Sequence, residues 1–215
     1  DQDSIENYIQ QLQNLETRFM LSPNRKQVAI WIQNRFESVG CQLVKIDSFQ
    51  THTQIPVNGI YYDTITWQYN VSAIMPGASN PDQIVIIGGH YDCFTNNDPM
   101  TLAPGADDNG SSVAAIFELA RVFNAMGYQP NKTLHFVALG AEELMYYSSQ
   151  SGAGDYAERC VQNGDDVLLY INNDMIANEP ENENWILDVM LHDLDVWTTL
   201  LTTDLTNKYT SLEPT

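Results

Sequence analysis

His90, Asp92, Asp107, Asp108, Glu142, Glu143 and Asp174 are the residues of this sequence whose types and spacing could hold divalent cations and do hydrolysis with them. Imidazole mixed with carboxylates suits zinc, whereas an all-oxygen set would suit magnesium or calcium. A carboxylate shared by two ions would hold them about 3.5–4 Å apart, the spacing used in two-metal hydrolysis. Asp92 stands two residues from His90, so its carboxylate can take the other ring N–H and fix the tautomer of a ligating imidazole.

The elements that must position these groups are legible as apolar runs. Ile84, Val85, Ile86 and Ile87 form a β-branched strand of the kind buried in a parallel sheet, followed by Gly88 and Gly89, which allow a sharp turn at His90. The run 134–139 ends at Gly140, Ala141, Glu142 and Glu143, and the run 167–171 ends at Asn172, Asn173 and Asp174. Function in open α/β sheets sits at the carboxyl ends of such strands. Three buried strands are thus expected to deliver acids and an imidazole to one edge.

Around them, Ile5, Tyr8, Ile9, Leu12, Leu15 and Phe19 recur at helical spacing. A second helix is expected from Ser22 as cap and Pro23 as first position, with Val28, Ala29, Ile32, Phe36 and Val39 on one face and Gly40 as its stop. Strands are expected at 43–46 and at 65–75, where Ile65, Trp67, Tyr69, Val71, Ala73 and Met75 alternate with mostly polar residues as a half-wet face. A deeply packed helix is expected over 111–126, a strand over 185–190, and a helix on Leu194, Val196, Trp197, Leu200, Leu201 and Leu205, before Lys208. The fold class is α/β: a three-layer α/β/α sandwich on a mixed, largely parallel sheet, with residues 1–215 as one domain.

Composition excludes some functions. With 28 Asp and Glu against 9 Lys and Arg, the formal charge of −19 repels nucleic acid and anionic membrane surfaces. No apolar run approaches the roughly 20 residues that span a bilayer. Cys41, Cys93 and Cys160 show no C-x-x-C spacing, so neither a disulfide scaffold nor a thiolate zinc site is indicated. His135 lies within a strand pattern and reads as a hydrogen-bonded interior histidine, His192 as surface at a helix entry.

Four motifs, Gly88-Gly89-His90-Tyr91-Asp92, Pro104-Gly105-Ala106-Asp107-Asp108-Asn109-Gly110-Ser111, Ala141-Glu142-Glu143 and Asn172-Asn173-Asp174-Met175, resemble in order and placement those of the M28 family of zinc peptidases, the aminopeptidase group with a co-catalytic zinc pair. The resemblance implies that His90 and Asp174 ligate one zinc, that Asp108 bridges both, and that Glu143 ligates the second. Glu142 would be the general base, and Asp92 would orient His90. Asp107 is the alternative bridge, and the family's habit of a cis peptide after the bridging aspartate places it at Asp108–Asn109. Met175 either lines the pocket for the first side chain or packs in the core. Ser112 departs from the glycine more usual there.

The resemblance further implies a peptide substrate with a free N-terminus and a secreted or periplasmic location. The family's fifth ligand, a histidine in a Ser-Asp-His-like motif, falls after the region where this chain stops, and neither His52 nor His192 has that context. The expectation is therefore a C-terminally shortened piece in which one of two zinc sites lacks a ligand, so that the fragment by itself is inactive. The alternatives are a carboxypeptidase or glutaminyl cyclase on the same scaffold, or an inactive receptor-like homologue. Cyclases of this superfamily use a single zinc and lack the double aspartate, and receptor-like homologues lose ligands that are intact here.

Overall fold

The computed structural model describes residues 1–178, 186–187, 189 and 196–214. They fall into two units, Asp1–Ile176 and Ala177–Thr215, described separately.

In the first unit, the apolar stripe of the N-terminal residues forms α1 (Gln2–Gln13), which buries Tyr8 and Leu12. Helix α2 (Arg25–Ser38) buries Val28, Ala29, Ile32 and Phe36. It starts later than the Ser22-Pro23 pair suggested, because the Ser22 hydroxyl is used in the preceding turn, donating to Phe19 O at 2.7 Å and bonding Asn24 Oδ1 at 2.5 Å. Gly40 ends it at φ +99°, a left-handed conformation that side chains resist.

Strands β1 (Leu43–Val57) and β2 (Ile60–Met75) pair antiparallel from Leu43↔Ile74 to Val57↔Ile60. The hairpin is longer than the strands expected at 43–46 and 65–75, and it turns on Asn58 and Gly59, both at positive φ, the Asn-Gly pair that matches the right-handed strand twist. Its outer half also inverts the expected alternation. Ile65 and Trp67 face solvent, whereas Phe49, Thr51, Thr53 and Gln68 on the opposite face are buried. That face lies against the chain around Phe19, Met20 and Leu21, and Gln68 Nε2 donates to Met20 O at 2.8 Å.

Strand β3 (Asn80–His90) runs parallel to β4 (Lys132–Leu139) on one side and β5 (Asp166–Asn172) on the other. The sheet order is β1-β2-β4-β3-β5, with β2 antiparallel to β4. The sheet is thus mixed, as expected, with a parallel part that carries the candidate site. One expectation fails: β5 is the last strand in the order, and Val167, Leu168, Tyr170 and Ile171 are exposed rather than buried.

Helices cover both faces. On one, α1, α2 and α3 (Ser112–Ala125) pack against Val71, Ala73, Phe136 and Ala138; on the other, α4 (Gly152–Asn163) brings Cys160 against Ile86, Val137 and Leu139. Phe36 stands edge-on to Phe117 with ring centroids 4.8 Å apart, and both are fully buried. Truncating Phe36 to Ala therefore removes a ring that no neighbour can replace, and the expected loss is about 3–5 kcal/mol of unfolding free energy by urea titration. His135 is an interior histidine as expected, its Nδ1 2.8 Å from the Tyr156 hydroxyl. All three cysteines are free thiols.

In the second unit, β6 (Ile186–Leu187) pairs parallel with β7 (Glu213–Pro214), and α5 (Val196–Tyr209) corresponds to the last expected helix. His192 and half of the strand expected at 185–190 lie outside the described residues. No helix among the described residues is long and apolar enough to cross a membrane.

Candidate metal centre

The parallel register of β3 with its neighbours brings three strand ends to one rim: His90 pairs with Leu139 of β4, and Gly88 with Asn172 of β5. Gly88 and Gly89 lie within the strand rather than at a turn. A Cβ on Gly89 would meet Ser112 Cβ at 2.8 Å and Asn173 O at 2.9 Å, so glycine is needed to let the β5 loop and α3 approach the strand. Asp108 is presented by a tight turn, Ala106–Ser111, at the head of α3, and the Asp108–Asn109 peptide bond is cis.

His90 Nε2 lies 3.2 Å from Asp108 Oδ1, 3.6 Å from Asp174 Oδ1 and 3.7 Å from Glu142 Oε2. One ligand atom each from His90, Asp108 and Asp174 fall within 4.8 Å of one another. These three are the compact group; Glu143 stands on the same rim but outside it. The imidazole is 4% exposed, whereas the carboxylates of Asp108 and Asp174 are 46% and 42% exposed. The nitrogen is therefore fixed and the oxygens face the opening.

Asp92 acts differently from expectation. Its backbone carbonyl, 3.0 Å from Nδ1, is the group that orients the His90 ring, and its carboxylate is 3.7 Å away. That carboxylate accepts the amide N–H groups of Glu142 at 3.0 Å and Glu143 at 3.2 Å. It thereby fixes the backbone of the acid pair beyond β4. Ala141, at φ +60°, turns the chain so that both amides point to it.

The electrostatics are those of one imidazole among five acids. Burial alone would lower the His90 pKa, but the Asp108, Asp174 and Asp92 carboxylates around the ring more than reverse this and raise it. Asp108 is held low chiefly by its bond from His90. Burial, then the neighbouring Asp108 and Asp92, pushes Glu143 up to about 8, and burial also raises Glu142. Such a set of crowded hard donors around an imidazole fits a zinc ion, whose charge offsets their mutual repulsion.

Met175 is 57% exposed, which removes the core-packing alternative. Cys93 is a buried thiol that donates to Ala103 O at 2.7 Å. Two side chains join the Asp108 turn to the Asp174 loop: Asn109 Nδ2 donates to Asn173 O at 3.1 Å, and Ser111 Oγ accepts from Ile176 N at 3.1 Å while donating to Asp107 O. Sequence reasoning treated Ser111 only as a helix-start residue. It passed over Arg18 altogether, a buried arginine beneath the turn, for which only its position in an apolar stretch offered a hint.

A family model described as peptidase family M28 matches residues 70–210. A probable zinc metalloprotease of Pyrenophora teres f. teres is 33% identical over 189 residues, covering 82% of this chain and 39% of that protein. Leucine aminopeptidase 1 of Ajellomyces capsulatus is 31% identical over 178 residues, 80% of this chain and 42% of that one. The chain thus spans about two-fifths of these curated relatives. Among solved structures, a glutaminyl cyclase from an Acidobacteriales bacterium superposes with a TM-score of 0.71 at 16% identity, over 99% of this chain and 71% of that one.

Proposed function

The chain belongs to peptidase family M28, and from that premise we propose that it carries the metal site of a zinc-dependent aminopeptidase acting on peptides with a free N-terminus. The observation that carries this reading is the convergence of His90, Asp108 and Asp174, with Glu142 3.7 Å from the same nitrogen. In this reading His90 and Asp174 would hold one zinc and Glu143 a second, with Asp108 as the ligand available to both. Zinc, when bound, polarises the scissile carbonyl and acidifies water.

The protein's own groups then do the rest. Glu142 takes a proton from the attacking water onto its carboxylate and returns it to the nitrogen of the leaving amine. Asp92 keeps the Glu142 amide in place, and the Asp92 carbonyl keeps the imidazole aimed. The exposed carboxylate edge attracts the substrate's α-ammonium group, and Met175 borders the space for the first side chain.

The shared scaffold with a glutaminyl cyclase makes cyclisation the second reading. Three peptides separate the two: one with a free N-terminal leucine, its N-acetyl counterpart, and one beginning with glutamine. Assayed in a polypeptide of the relatives' full length, release of leucine from the first alone, abolished by 1,10-phenanthroline and restored by zinc, is the expected result. Ammonia release and pyroglutamate formation from the third, without hydrolysis of the first, would overturn it.

A further inference from the structure

Arg18 is 1% exposed, yet among the described residues it makes no ion pair. Every guanidinium hydrogen bond goes to a backbone carbonyl: Nε to Tyr91 O at 2.7 Å, Nη1 to Pro104 O at 2.8 Å and Leu12 O at 3.1 Å, Nη2 to Gly105 O at 2.7 Å. Tyr91 follows His90 directly, and Pro104 and Gly105 open the turn that presents Asp108.

We propose that Arg18 is a positioning residue for the metal ligands, a clamp that fixes the end of β3 against the Asp108 turn and so sets the separation of the imidazole from the carboxylate. The proposal rests on the zinc reading above. Gly105 is shaped to this contact: it sits at φ +46°, and a Cβ there would lie 2.4 Å from Asp108 O and 2.8 Å from Arg18 Nη2. Cys93 Sγ ties the same two segments one step further out, donating to Ala103 O at 2.7 Å, whereas the Arg18 guanidinium bonds Tyr91 O and the Pro104 and Gly105 carbonyls directly. Three nitrogens in one plane are what reach carbonyls on separate segments, which a lysine ammonium cannot do.

A buried arginine could serve the fold alone, and charge helps to separate the cases. The guanidinium lies within electrostatic range of Asp92, Glu143 and Asp108, so its positive charge opposes a dication, and removing charge alone would tighten zinc binding. Arg18→Lys keeps the charge and removes the fork, which isolates the geometry.

The test is zinc affinity of the intact chain by competition with a chromogenic chelator, with near-UV circular dichroism and thermal melting in parallel. Groups that orient ligands typically contribute 10–100-fold to metal affinity. The expected result is an Arg18→Lys protein with the wild-type dichroism spectrum and a zinc Kd at least about tenfold weaker. Phe36→Ala, destabilised in a helix that carries no site residue, should keep the wild-type Kd. An Arg18→Lys protein that melts early but binds zinc within about twofold of wild type overturns the proposal and leaves the zinc reading standing. Wild type that takes up no zinc, or a His90→Ala protein that binds as tightly as wild type, overturns the zinc reading and this inference with it. If Arg18→Lys does not fold, Arg18→Gln is read instead; because it also removes the charge that opposes the dication, any weakening of zinc binding supports the clamp, and a zinc Kd equal to wild type or tighter overturns it. Loss of the fold in both assigns Arg18 to the fold as a whole and also overturns the proposal.

Discussion

In a full-length polypeptide, Glu142→Gln is expected to lower kcat on a free-amine peptide by about 10²–10⁴-fold while leaving the fold and the bound zinc unchanged. The substitution is isosteric and removes only the ability to accept a proton. Its placement does not depend on the carboxylate, because the Glu142 backbone amide is held by Asp92 at 3.0 Å. Nor does Glu142 belong to the compact donor group of His90, Asp108 and Asp174, so zinc content per chain should match wild type by plasma mass spectrometry. The decisive readout is kcat at equal zinc loading. A decrease smaller than about tenfold would remove Glu142 from the proton-transfer role.

Asp108→Ala is the second large effect. Its carboxylate is the nearest acid to the His90 nitrogen, at 3.2 Å, and half of it faces the opening. Groups that merely orient a ligand cost 10–100-fold in affinity, so losing a shared ligand should weaken zinc binding by more than about 100-fold and reduce activity to background. Asp107→Asn serves as the contrast, since the neighbouring aspartate was the alternative bridge. It should retain zinc within a few-fold by the same chelator competition. The opposite pattern, with zinc lost from Asp107→Asn and kept by Asp108→Ala, would transfer the bridge to Asp107.

Much of the arrangement is legible in the sequence because ligand and element coincide. The β-branched run at Ile84 to Ile87 and the acids after Leu139 and Asn172 each mark a strand end, and parallel pairing brings such ends to one rim whatever the loops do. The outer hairpin is less legible. Periodicity registers apolar side chains, but the buried face there interleaves Phe49, Ile55 and Val57 with Thr51, Thr53 and Gln68, the polar members kept inside by hydrogen bonds such as Gln68 to Met20 O and Thr51 to Gln150 O. The Asn58-Gly59 turn was an available signal for that hairpin and was not used. Arg18 was illegible for a different reason. Its partners are carbonyls of residues 12, 91, 104 and 105, and carbonyls carry no residue identity for a sequence to display.

The compact donor group draws on residues as distant along the chain as 90 and 174, with two strands, two α-helices and two crossovers between them. Non-local closure of this kind is slow, so the sheet must finish assembling before a cation finds a complete seat. An ion that recognises only the finished state cannot guide the search for it. It acts by mass action on the native ensemble, and its kinetic signature belongs to the rate of opening rather than the rate of collapse.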